Sequence, residues 1–152
     1  YEGVDMAVTA SGLFCPTFLD ILDGTQLAVN TASDSFKCAM ITNSSTPDFD
    51  SHDHWSDLSS NEVSGTNYSA GGVALGSVAM TSASGALKFD AADSSWATST
   101  ISNARAAVIY DDTLSNDPLI CLVNFGSDYS SANGTFQITW NAAGIWTLDL
   151  TP

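Results

Sequence analysis

Positive charge is almost missing from this chain. Its 152 residues contain only three basic side chains, Lys37, Lys88 and Arg105, against 17 acidic ones, a formal net charge of −14. A protein that grips phosphates needs clustered Lys and Arg, since neutralising phosphates and releasing their counterions drives that binding. Nucleic acid and anionic membrane surfaces are therefore excluded as expected partners. Cysteine is scarce too: Cys15, Cys38 and Cys121 are odd in number and far apart, whereas a disulfide scaffold would be denser and usually even. Each sits among apolar neighbours and reads as a buried small hydrophobe. No stretch reaches the ~18 apolar residues of a membrane span, and no signal peptide is visible. The phosphate-cradling patterns G-x-G-x-x-G and G-x-x-x-x-G-K are absent, as is the nucleophile elbow G-x-S-x-G.

What is present suits short strands. Hydrophobic residues make up 44% and charged ones only 13%, and the polar remainder is mainly Ser, Thr, Asn and Gly. Helices usually carry Glu, Lys and Arg on their exposed faces; strands joined by turns do not need them. One helix is expected, over residues 11–24 ("SGLFCPTFLDILDG"). Ser11 would cap it, Pro16 would be tolerated in its first turn, and Gly24 would stop it. Phe14, Phe18 and Leu22, with Leu19, would form its buried face. Beyond it the period becomes two. Strands are expected at 35–41, 73–80, 86–91, 106–110 and 119–125, and a closing hairpin would pair 136–140 with 146–150 around Asn141–Gly144. Trp140 and Trp146 should face the core. The expectation is a mainly β chain: one antiparallel β-sandwich, of jelly-roll type, with one short N-terminal helix. Residues 1–10 would form an arm and 11–152 the domain. The segment "NEVSGTNYSAGGVAL" (61–75), rich in Gly, Asn and Ser, should be an ordered surface loop or a short edge hairpin.

Chemistry is hard to place. The one cluster resembling a site is "DFDSHDHWSD" (48–57), where His52 and His54 in an extended segment would point the same way, with Asp50 nearby. These three are the metal-ligand candidates, although solvated loop residues are the simpler reading. A calcium-loop pattern fails, because its sixth position lacks Gly and no Glu closes it. Pairs such as Asp111-Asp112 are expected by chance in so acidic a chain and read first as turns. No catalytic residue and no cofactor is nominated, so the chain is not expected to be an enzyme. Arg105 reads as a local ion pair. The candidate contact residues are apolar or aromatic: Tyr1, Val4, Met6 and Val8 in the arm, Trp55 in the acidic loop, and Tyr68.

Taken in order, "MAVTASGLFCPTFLDIL", "NEVSGTNYSAGGVAL", "LKFDAADSSW", "ARAAVIYDDT" and "PLICLVNFGSDYSSANGTFQITWNAAGIWTLDL" resemble a family of small virion structural proteins of tailed bacteriophages. Its members are described as capsid decoration (cement) proteins, or as minor capsid or minor tail proteins. The likeness runs from about Met6 to the C-terminus and is most specific in 61–72 and in the closing segment. Tyr1–Asp5 and the His-containing acidic loop fall outside the pattern. The resemblance implies a structural protein on the outer surface of the virion, assembled in the host cytoplasm, bound to the major capsid protein and self-associating as a homotrimer. Two other readings fit the composition: a minor tail or fibre-associated protein, and an extracellular carbohydrate-binding β-sandwich module.

Overall fold

The computed structural model describes residues 7–23 and 28–151. Among them the architecture is mainly β, as expected: eleven strands in three antiparallel sheets, with one α-helix. The strands are β1 (Gly12–Leu13), β2 (Phe36–Ile41), β3 (Gly65–Thr66), β4 (Val73–Ala74), β5 (Ala79–Ala83), β6 (Ala86–Asp90), β7 (Ser94–Ile101), β8 (Ala104–Asp111), β9 (Leu119–Tyr129), β10 (Gly134–Ile138) and β11 (Trp146–Asp149). The helix α1 spans Cys15–Asp23.

A five-stranded sheet, β1-β9-β8-β2-β4, forms the middle of the molecule. Its central strands are apolar on both faces, which is why they read as continuous hydrophobic runs. Ala106, Val108 and Tyr110 of β8 join Ala39 and Ile41 of β2 on one face, where they pack with Val8, Phe14, Trp55 and Leu58 from non-strand segments. On the other face Cys38, Met40 and Ala107 meet Trp96, Phe136 and Ile138, so the β10-β7-β3 sheet covers that part. Phe36, Ile109 and Cys121 meet Phe89 and Trp146, so the β11-β6-β5 sheet covers the rest. The two small sheets together make the second layer of a β-sandwich-like domain.

Several local expectations are corrected. The helix starts at Cys15 rather than at Ser11, because Gly12 and Leu13 pair with Leu122 and Cys121 of β9. Ser11 caps nothing; its hydroxyl accepts from the Asn124 N–H at 2.8 Å. Pro16 does sit in the first turn, but Thr17 is the buried residue of α1, while Leu19 and Leu22 are 62% and 83% exposed. Second, the closing hairpin does not form. Phe136 of β10 pairs with Trp96 of β7, whereas Trp146 of β11 pairs with Phe89 of β6. The Asn141–Gly144 turn exists, with the Gly144 N–H on Asn141 O at 2.8 Å. However, Asp93 holds the Trp140 N–H at 3.0 Å and the Ile145 N–H donates to Phe89 O at 2.8 Å, so the two strands are drawn into different sheets. Trp140 and Trp146 do pack against the core, half-buried.

Third, the strand expected at 73–80 is two. It breaks at Gly76-Ser77, where Ser77 has φ +53, and its halves β4 and β5 belong to different sheets. Fourth, 61–75 is an ordered surface segment, as expected, but its two short strands do not form a hairpin. β3 pairs with β7 and β4 with β2, so the segment straps the second layer to the central sheet. The strap is anchored on Glu62, whose carboxylate accepts from Tyr68 Oη at 2.8 Å and from the Gly71 N–H at 2.7 Å. Cys38 and Cys121 are buried as expected, whereas Cys15 is exposed at the start of α1.

Candidate interaction surface

The expected contact residues that the structure describes turn inward. Tyr1, Val4 and Met6 lie outside the described residues. Val8 is 3% exposed and fixed on both sides: its N–H donates to Asn43 Oδ1 at 3.0 Å and its carbonyl accepts from Asn124 Nδ2 at 3.4 Å. Trp55 is 8% exposed, stacked on Tyr110 at 5.2 Å and 3° between planes. It was expected outside because its neighbours are acidic. The two 3₁₀ turns at 55–57 and 59–61 instead fold it, with Leu58, onto the central sheet. Tyr68 is half-buried. Its ring stacks on Trp96 at 5.8 Å, and its hydroxyl accepts from the Met40 N–H at 3.0 Å while donating to Glu62. Burial is the main cause holding the Tyr68 phenol well above its usual range. These three side chains serve the core and the strap.

The acidic loop also differs from expectation. His52, His54 and Asp50 do not converge. His52 Nδ1 accepts from the Asp48 N–H at 3.3 Å, and the Asp50 N–H donates to Asp48 Oδ1 at 2.9 Å. The residues that converge are Asp53, His54 and Asp57, with one donor atom each within 4.8 Å of the others. His54 Nδ1 contacts the Asp53 carboxylate. Asp57 accepts the backbone N–H groups of Asp53 at 3.1 Å and His54 at 3.0 Å. Partial burial pushes the Asp57 carboxyl up, but those two N–H groups and the nearby imidazoles outweigh it and hold the group below its usual range. The cluster is thus accounted for by turn formation. Arg105 pairs locally, with Nη1 3.2 Å from Asp128.

Open surface of another kind lies beside α1. Met80, Phe89 and Trp146 share one row across β5, β6 and β11, and Ser82, Leu87 and Leu148 share the next. Phe18 covers the first row, its ring edge-on to Trp146 at 5.7 Å. Leu87 and Leu148 of the second row, with Leu22, Met80 and Val29, line a groove of about 310 Å³. Leu148 is 39% exposed here and Met80 36%. A second groove, about 410 Å³, runs between the end of β9 and β10, lined by Phe125, Tyr129, Phe136 and Ile138 among hydroxyl side chains. No carboxylate, imidazole or amine lines either groove among the described residues. The α1 groove is the more apolar, and the exposed Leu22 of the helix stands at its margin. Sequence reading placed Leu19 and Leu22 on the buried side of α1; only the direction in which α1 docks could have revealed them as surface.

No protein-family model matches this chain, and searches of curated proteins and of solved structures return no match either.

Proposed function

We propose that this protein is a decoration (cement) protein. It would bind the outer surface of an assembled bacteriophage head by setting the α1 groove on an apolar segment of the major capsid protein, and it would self-associate there. The observation that carries this reading is the apolar margin of an otherwise polar, acidic molecule: Leu22, Met80 and Leu148 stand exposed around one groove. Contiguous exposed apolar surface marks contact sites. The acidity favours a partner segment flanked by basic side chains, since each of the three basic residues already has a carboxylate of its own. It also discourages aggregation and nucleic-acid binding before assembly.

The energetics are those of linkage. A protein that binds only the assembled shell stabilises it by mass action, and many copies multiply a modest contact, even ~1–2 kcal/mol each. The test is to add purified protein to heads that lack it and count bound copies by sedimentation and gel densitometry. Hundreds of copies per head are expected, with a Leu22→Asp/Leu148→Asp double variant losing binding while its thermal midpoint stays within about 2 °C of the parent. A few to tens of copies per particle would instead assign the chain to the tail. Saturable binding to glycans with none to heads would assign it to carbohydrate recognition.

A further inference from the structure

Asp111, the last residue of β8, has no exposed surface. Its Oδ1 is well used, accepting the N–H groups of Thr113 at 2.8 Å and Leu114 at 3.2 Å. Its Oδ2 is buried without any hydrogen-bond donor. A second carboxyl, that of Asp34, lies within hydrogen-bond reach of the Asp111 carboxyl. The two are brought together by the sheet. Phe36 pairs with Asp111, and the ladder continues past it: the Asp112 N–H donates to Ser35 O at 2.8 Å, and the Ser35 N–H donates to Thr113 Oγ1 at 2.7 Å. Asp34 is in turn oriented by its own loop, taking the Asn30 N–H on Oδ2 at 2.6 Å and the Ser33 hydroxyl on Oδ1 at 3.2 Å.

Two acceptors held against each other in the interior need something positive between them. Among the described residues no Lys or Arg side chain is free for this. Lys37 is 2.9 Å from Asp112, Lys88 is 3.0 Å from Asp90, and Arg105 is committed to Asp128. Burial above all, with the neighbouring Asp34 charge, pushes the Asp111 carboxyl up from its ordinary value, against the pull of the Thr113 and Leu114 N–H groups. Asp34 is only half-buried, so its side of the pair is open to solvent.

We propose that Asp34 and Asp111 bind a divalent cation of the hard, oxygen-seeking class, with calcium the best fit. Asp111 Oδ2 and the Asp34 carboxylate supply the charged ligands, and water supplies most of the remaining six to eight positions that calcium takes. Magnesium fits less well, because it demands near-ideal octahedral geometry and few of these oxygens can move. The ion would clasp residues 28–35 to the end of β8. Val29 and Thr31 of that segment line the α1 groove, so the ion would also set one wall of it. The site stands apart from the docking reading and is tested without any capsid.

The experiment is thermal unfolding of the full chain at pH 7 in EDTA and after titration with calcium chloride or magnesium chloride, with isothermal calorimetry for stoichiometry. One calcium per chain is expected, raising the midpoint by roughly 5–10 °C at a hundredfold excess over the dissociation constant. Asp111→Asn and Asp34→Asn should both abolish the response. Asn keeps an Oδ1 for the turn at 113–114, so Asp111→Asn is expected to fold, and its calcium-free midpoint checks that directly. His54→Ala in the other acidic cluster should keep the calcium response. The proposal is overturned if calcium leaves the parent unchanged. It is equally overturned if the pair shares a proton instead: stability in EDTA would then rise on acidification from pH 7 to 5, calcium would add nothing, and Asp111→Asn would remove the pH dependence.

Discussion

Three glycines share a left-handed backbone but differ in what surrounds them, which allows strain and close packing to be measured separately. Gly126, Gly71 and Gly72 have φ of +77, +86 and +77. A Cβ at Gly126 meets nothing within 4 Å. Gly126→Ala should therefore cost only the left-handed penalty of an L-residue, about 1–2 kcal/mol. At Gly71 the added methyl meets Tyr110 Oη at 3.1 Å, the same hydroxyl that donates to Gly71 O at 2.7 Å. Moving it by a few tenths of an ångström sacrifices part of a bond worth about 1 kcal/mol, so Gly71→Ala should cost about 2–3 kcal/mol. At Gly72 the methyl falls 2.0 Å from Cys38 O and 2.6 Å from Ala39 Cα, both backbone of β2. That strand is paired to β8 along all six residues and cannot retreat. Overpacking of about 1–3 kcal/mol or more then adds to the strain and to the lost β2–β4 pairing, giving about 4 kcal/mol or above. Urea unfolding followed by tryptophan fluorescence gives the order. With m about 2 kcal/mol/M, the midpoint of Gly72→Ala should fall by about 2 M, and that of Gly126→Ala by under 1 M. Equal midpoints for Gly72→Ala and Gly126→Ala would refute the close approach of the strap to β2.

Other consequences are as direct. Trp55→Ala removes a stacked, buried indole and should cost about 3–5 kcal/mol by chemical denaturation; weaker shell binding at unchanged stability would contradict its inward placement. Iodoacetamide at pH 8 should label Cys15 alone in the folded state. Burial pushes Cys38 up to about 12, against the Ser94 contact, and raises Cys121 further still. Mass spectrometry showing three modifications before unfolding would refute this. The Asp57 carboxyl is held below its ordinary value, so its contribution is present above the unfolded-state value and is lost as pH falls through the folded one. Asp57→Asn should accordingly lower stability at pH 7 and flatten its decline below about pH 4.

The strands of the central sheet were legible because they answer to a local signal. "FKCAMI", "AAVIY" and "LICLVNF" are apolar enough to be strands wherever they lie, and each became one. β7 was missed for a physical reason. In "SSWATSTI" the buried positions are Ser94, Trp96, Ser99 and Ile101, two of them polar, and Thr98 at φ +51 slips the alternation by one residue. Neither the hydroxyl-lined inner face nor the slip shows in a hydropathy pattern. The contact surface was misplaced likewise. Acidic neighbours made Trp55 look exposed and a four-residue spacing made Leu22 look buried, but the direction from which each segment docks depends on distant partners, Tyr110 and Trp146.

The sequence by itself determined the chemistry of this protein's surface and the strand character of its core, because charge and side-chain periodicity travel with the chain. It could not determine which strand pairs with which. β10 and β11 alternate well enough to form a hairpin, yet Phe136 finds Trp96 and Trp146 finds Phe89, since burial against the central sheet outweighs the turn that joins them. Only the folded sheet set Asp34 against Asp111 across a gap of 77 residues, and only the docking of α1 left its leucines facing outward.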